Sequence, residues 1–151
     1  MILNTILLII TILLLAVIIG FIVNIYENSI WKKTLIKCNG ESPILCCKQN
    51  GSPINFIVDT GANLSVIDKN VVDKYFYVLN NNKKEIQGVG CKLIAPTCTL
   101  HFNYKHELYH QEFGITDLHT TFDEQSKKRG IPIHGILGCD FLNNNNFTIK
   151  C

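Results

Sequence analysis

One carboxylate sits where the chain can least easily hold it. The segment Ile54-Asn55-Phe56-Ile57-Val58-Asp59-Thr60-Gly61-Ala62-Asn63-Leu64-Ser65-Val66-Ile67 is an apolar strand, a tight polar turn and a second apolar strand. A charged group between two buried strands is costly unless it is hydrogen-bonded or used in chemistry. Asp-Thr-Gly is also an ordinary turn sequence, so the tetrapeptide alone leaves a structural Asp turn open. It occurs once, and no internal repeat supplies a second copy. If Asp59 works with a second carboxylate, that partner comes from another copy of the chain.

The 151 residues are 47% apolar, but the apolar residues are concentrated at the N-terminus. Ile6 to Val23 is interrupted only by Thr11 and Gly20, and the first charged residue is Glu27. A helix over this run spans roughly 27 Å, close to a hydrocarbon core of about 30 Å. Tyr26 and Trp31 suit the membrane interface. A cleaved signal peptide would need a basic start, a shorter core and a small-residue cleavage site, none of which is present. No polar face marks the run as a core helix. The expectation is a transmembrane helix over residues 1–26, with the lipid bilayer as its partner, and a juxtamembrane linker over 27–33. Residues 34–151 then form one domain of ordinary size. Lys32, Lys33 and Lys37 follow the apolar run and no basic residue precedes it, which places the domain in the cytoplasm. Seven cysteines, an odd number without a Cys-x-x-Cys pair, fit free thiols in a reducing compartment. The net charge of +2 and the lack of a basic stripe argue against nucleic acid as a partner.

Past the linker the pattern is mainly β. Asn50-Gly51 between Ile44–Lys48 and Ile54–Val58 marks a hairpin. Asp68 is placed to cap a short helix over Lys69–Tyr75. Asn80 to Lys84 reads as a polar turn or loop. Glu85 to Leu93 reads as two short strands around the glycine tip Gly88-Val89-Gly90, a form that can close over a cleft. Leu100, Phe102 and Tyr104 alternate as on a half-buried strand, and Leu108–Ile115 is its return. Asp123–Gly130 is a charged, solvated segment. The apolar run Ile133–Leu137 ends in Gly138. Asp140 is placed to cap a helix from Phe141, and Phe147–Ile149 is a last strand.

A second motif competes. His106-Glu107-Leu108-Tyr109-His110 matches the metallopeptidase pattern H-E-x-x-H, which needs a helix to bring both His to one zinc with Glu as base. The two-residue period of Leu100, Phe102 and Tyr104 continues instead towards a hairpin at Lys105-His106. On a strand the two imidazoles lie roughly 13 Å apart, too far to share a metal. A zinc peptidase is therefore the weaker alternative, and no metal or other cofactor is expected.

Asp59-Thr60-Gly61-Ala62, then Gly88-Val89-Gly90, then Ile136-Leu137-Gly138, occur in that order, with Gly138 79 residues after Asp59. Together they resemble the retropepsin-like aspartic proteases of retroviruses and retrotransposons. The resemblance covers Thr34 to the C-terminus. Ala62 suits this branch, and Gly135-Ile136-Leu137-Gly138-Cys139-Asp140-Phe141-Leu142 is similar to its Ile-Leu-Gly segment and following helix. It implies a small closed β-barrel, an obligate homodimer, a flap over the cleft and endopeptidase activity on polypeptides. It implies Asp59 as the catalytic residue, Thr60, Gly61 and Ala62 as the supporting turn, Gly88, Val89 and Gly90 as the flap, and Ile136, Leu137 and Gly138 as the buried strand beneath. Many viral members pair an acidic residue two places after the motif glycine with an Arg after the Ile-Leu-Gly glycine. Asn63 and Cys139 hold those places here, so that pair is absent. Cys91 stands where some relatives carry another flap glycine. A second alternative keeps the fold as a dimerisation or peptide-binding module with little activity.

Overall fold

A computed structural model describes residues 10–23, 34–37, 41–88 and 91–150. The chain divides into two units, Met1–Thr34 and Leu35–Cys151. In the first, residues 10–23 form helix α1, with apolar side chains such as Leu13, Val17 and Phe21 more than half exposed. Among the described residues no helix is long and apolar enough to cross a membrane. The rest of the expected span, residues 1–9 and 24–26, and the linker 27–33 lie outside the described residues.

The second unit is mainly β. Strands β2 (Ile44–Gln49) and β3 (Ser52–Val58) form the expected hairpin. Its two turn residues, Asn50 at φ 48° and Gly51 at φ 86°, adopt the positive angles that match the twist of the strands. Strand β2 alternates, with Leu45, Cys47 and Gln49 buried. Strand β3 is instead buried on both faces through Ile54, Asn55 and Phe56, because it is covered on each side. Strand β4 (Val66–Asp68) leads into α2 (Lys69–Val72), where the Asp68 carboxylate accepts from the Asn70 N–H at 3.1 Å. The cap is as expected, but the helix is shorter. Lys74 and Tyr75 donate to carbonyls three residues back and form turns.

Strand β5 (Tyr77–Gly88) runs through Asn80–Lys84, where the sequence points to a loop. Tertiary partners override local preference there. Asn80 Nδ2 donates to Thr99 and Glu112, Lys84 pairs with Glu112, and the extra residues are taken up by a register shift between Leu79 and Lys83. Strands β6 (Cys91–Tyr104) and β7 (Glu107–Thr116) meet at Lys105 and His106, at φ 48° and 71°. The charged, solvated segment before Gly130 is helical. It is helix α3 (His119–Arg129), which buries only Phe122 and ends at a left-handed Gly130 behind Lys127, Lys128 and Arg129. Strand β8 (Gly135–Leu137) and helix α4 (Cys139–Asn144) follow, and β9 (Phe147–Lys150) pairs with β1 (Thr34–Lys37).

The strand order β2-β3-β8-β4-β7-β6 closes on itself where Lys48 pairs with Asn103, and β5 adds to the outer side of β6. This is the small closed barrel expected from the sequence, built from six strands. Phe56 packs on Phe102 and Phe113 at 5.1 Å in its interior, and Phe141 and Phe147 seal one side. Strand β8 is the element that matters for Asp59. It runs parallel to β3 and antiparallel to β4, so it fills the space between the two strands that flank the turn. Only glycine fits at 135, since a Cβ there would lie 2.5 Å from the Val66 carbonyl oxygen. His134 locks the entry to this strand. Its Nδ1 accepts from the Asn55 N–H at 2.9 Å, which requires the neutral ring, and burial holds its pKa below the ordinary imidazole value.

Candidate active site

The turn after β3 is tied down on both sides. The Asp59 N–H donates to the Leu137 carbonyl at 3.0 Å, and the Asp59 carbonyl accepts from Ala62 at 3.2 Å. The Gly61 N–H donates to Asp59 Oδ1 at 2.8 Å, which aims the carboxylate. Asp59 is half-buried, while Thr60 and Gly61 are exposed. Ala62 accepts from the Cys139 N–H at 2.8 Å, and the Cys139 thiol reaches the Thr60 carbonyl at 3.2 Å.

Buried Leu137 and half-buried Ile136 pair with β3 beneath this turn, and Gly138 caps the start of α4 against it. A Cβ on Gly138 would meet the Ala62 oxygen at 2.8 Å and the Leu64 carbonyl group at 2.8–2.9 Å, all of it backbone. Gly138→Ala is therefore expected to displace the turn, lowering the melting temperature and removing activity. Wild-type melting and turnover in that variant would show that the contact is not tight.

Asp59 opens into a cleft of about 380 Å³ walled by Leu64, Ile86, Leu93, Leu118 and Ile136. Ile86 and Leu93 face each other across the β5–β6 hairpin, so the arms of the expected flap form one wall. Gly114 has no side chain where Ile86 Cδ1 rests, 2.5 Å from a would-be Cβ. Gly88 closes the described hairpin opposite Cys91, whereas Val89 and Gly90 lie outside the described residues. Asp59 is the one ionisable group among the described residues lining this cleft. The apolar wall supplied by Leu118, just before α3, has no sign in the sequence, because α3 itself has no apolar stripe.

The zinc alternative fails on geometry. His106 sits in the turn at φ 71°, and Glu107 and His110 lie on β7 rather than on a helix. Glu107 accepts from the Tyr109 hydroxyl at 2.6 Å, and the His110 ring rests edge-on to His101 with centroids 4.2 Å apart. Among the described residues no three ligating side chains converge on a metal position. Glu107→Gln is expected to leave peptide hydrolysis within about twofold of wild type, since an amide oxygen can still accept from the Tyr109 hydroxyl. A loss comparable to that of a general base would revive the metal reading.

The described cysteines 46, 47, 98 and 139 are free. Burial pushes the Cys47 and Cys98 thiols up to about 12, so both act as inert core residues. Asn63 is exposed and Cys139 is occupied by the turn, so the acidic–Arg pair of viral relatives has no counterpart here.

A family model described as retroviral aspartyl protease matches residues 39–150. No curated protein matches the chain. Among solved structures, the EIAV protease complexed with the inhibitor HBY-793 is similar at 21% identity and a TM-score of 0.53, over 74% of this chain and 95% of that one. The foamy viral protease-reverse transcriptase in complex with an RNA/DNA hybrid is similar at 14% identity and a TM-score of 0.46, over 68% of this chain and 12% of that one.

Proposed function

The chain belongs to the retroviral aspartyl protease family and is an aspartic endopeptidase; from that premise we propose that it works on polypeptides as a homodimer, with one Asp59 from each chain. The observation that carries this reading is a cleft with a single carboxylate on an exposed turn. One chain holds half of a two-carboxylate site. Two facing carboxylates cannot both ionise easily, so the pair shares one proton. The ionised Asp59 takes a proton from a water between them. The protonated Asp59 of the partner donates to the substrate carbonyl. The water oxygen adds to that carbonyl carbon to give a gem-diol. Asp59 then passes its proton to the amide nitrogen, the partner's Asp59 takes a proton back from a gem-diol hydroxyl, and collapse releases the amine and the carboxylic acid. Thr60, at the exposed tip, is placed to meet its counterpart across the two-fold axis.

Residues 1–26 tether this dimer to a bilayer with the domain on the cytoplasmic side. The long apolar run, the lysines that follow it and the free thiols among the described residues support this. Purified full-length protein is expected to cut a denatured protein at mildly acid pH. A statine-type transition-state analogue should block cleavage, and a chelator should not. Chelator sensitivity without statine sensitivity would overturn the reading. Protease protection of a reporter fused after Cys151 checks the orientation, and exposure of the reporter on the outer side would reverse it.

A further inference from the structure

We propose that Asp140 is a positioning residue that holds the catalytic turn through Ser65 and Gly138; the inference rests on the reading of Asp59 as the catalytic carboxylate. Asp140 lies in the first turn of α4 and is not its N-cap, a place taken by Gly138. Its carboxylate receives three donors. The Ser65 hydroxyl donates to Oδ1 at 2.8 Å, the Phe141 N–H to Oδ1 at 2.8 Å, and Gln111 Nε2 to Oδ2 at 2.7 Å. Ser65 is fully buried and Gln111 is 5% exposed. These three donors come from three places: the residue just before β4, α4 itself, and β7.

The polarity of the network runs one way. An ionised carboxylate only accepts, so the single Ser65 proton points at Asp140. That leaves the Ser65 oxygen free to accept from the Gly138 N–H at 3.1 Å. Gly138 is the residue pressed against the Ala62 and Leu64 carbonyls. The next residue, Cys139, holds Ala62 and Thr60. Asp140 thus fixes the proton direction of a brace whose far end is the turn that aims Asp59.

An Asp140→Asn change keeps the shape and breaks that polarity. Three donors would then face one amide oxygen and one amide NH₂. If the NH₂ faces Gln111, two donors meet, and flipping Gln111 gives up its bond to the Glu112 carbonyl at 2.8 Å. If the NH₂ faces Ser65, the hydroxyl proton loses its acceptor and the Gly138 N–H competes for the oxygen.

The test uses the full-length chain in detergent with a peptide substrate. Asp140→Asn is expected to lower kcat by about 10–100-fold, the cost of displacing a reacting group by a fraction of an ångström to one ångström, with KM within twofold. Ile86, Leu93 and Leu118, on the cleft walls away from the brace, are untouched. Ser65→Ala should lower kcat similarly, and the double variant should lose little more than either single one, because both cut the same brace. Asp73→Asn is the control, an exposed carboxylate bonded to the Tyr77 hydroxyl and remote from the brace. Amide hydrogen exchange across Asp59–Ser65 should rise about tenfold in Asp140→Asn with β2 unchanged. Wild-type kcat in Asp140→Asn, multiplied losses in the double variant, or exchange that rises evenly across the barrel would each overturn the proposal. If the wild-type chain cuts no peptide, the endopeptidase reading fails. The exchange comparison still decides the brace.

Discussion

Asp59→Asn chains will fold like wild type and cut nothing. The substituted side chain can still accept the Gly61 N–H at its oxygen, so the turn keeps the bond that aims it. It cannot take a proton from water. General acid–base help alone is worth about 10²–10⁴-fold, and in the proposed homodimer Asp59 serves as base in one chain and as acid in the other. Turnover of a peptide by wild type and variant, with circular dichroism and melting as fold controls, reads the difference. Equal turnover in the two would remove Asp59 from the chemistry.

The same variant will poison its wild-type partner. A homodimer with one carboxylate per chain is dead when either chain carries the Asp59→Asn substitution. At roughly nine variant chains per wild-type chain, random pairing leaves about one-tenth of wild-type chains with a competent mate, and specific activity falls roughly tenfold. The interface lacks the acidic–Arg pair, because Asn63 and Cys139 hold those places. Exchange between dimers should therefore be fast in detergent. Co-reconstitution in liposomes should give the same poisoning at much lower protein concentration, since confinement to one surface raises effective concentration by factors of about 10²–10⁴. Wild-type activity unaffected by any excess of variant in detergent would mean a single chain carries a whole site.

The parts of this molecule that are local in sequence were legible in it. Asn50-Gly51 named its turn, Asp68 its cap, and Asp59-Thr60-Gly61-Ala62 followed by Ile136-Leu137-Gly138 the exposed carboxylate turn and the strand paired beneath it. The hairpin turn and the cap depend on backbone preferences that act within a few positions, whereas the pairing of the Asp59 turn with the distant Ile136-Leu137-Gly138 was legible only through the resemblance to retropepsin-like proteases. What was not legible depends on partners far along the chain. Asn80–Lys84 reads as a loop until Thr99 and Glu112 are placed beside it. Helix α3 buries one apolar side chain, so no periodic stripe announces it; Gly130 and the three basic residues before it were the available signs. Asp140 looked like a cap because helix-start chemistry is local, whereas its bonds to Ser65 and Gln111 come from the register of the barrel. The H-E-x-x-H string is the converse case, which the two-residue period of Leu100, Phe102 and Tyr104 already argued against. The letters fit, and two positive φ angles at Lys105 and His106 undo them.

The parallel pairing of β3 with β8 also sets an order in time. Asn55 and His134, bonded at the start of that pairing, are 79 positions apart. A strand that must wait for a partner so distant closes late, because loop entropy is spent before the contact returns anything. During synthesis, at about 5–20 residues per second, Asp59 leaves the ribosome several seconds before Leu137 does. Until then the carboxylate has neither the strand beneath it nor the glycine beside it. Until β8 has emerged, the nascent chain therefore carries a protease sequence with no protease geometry.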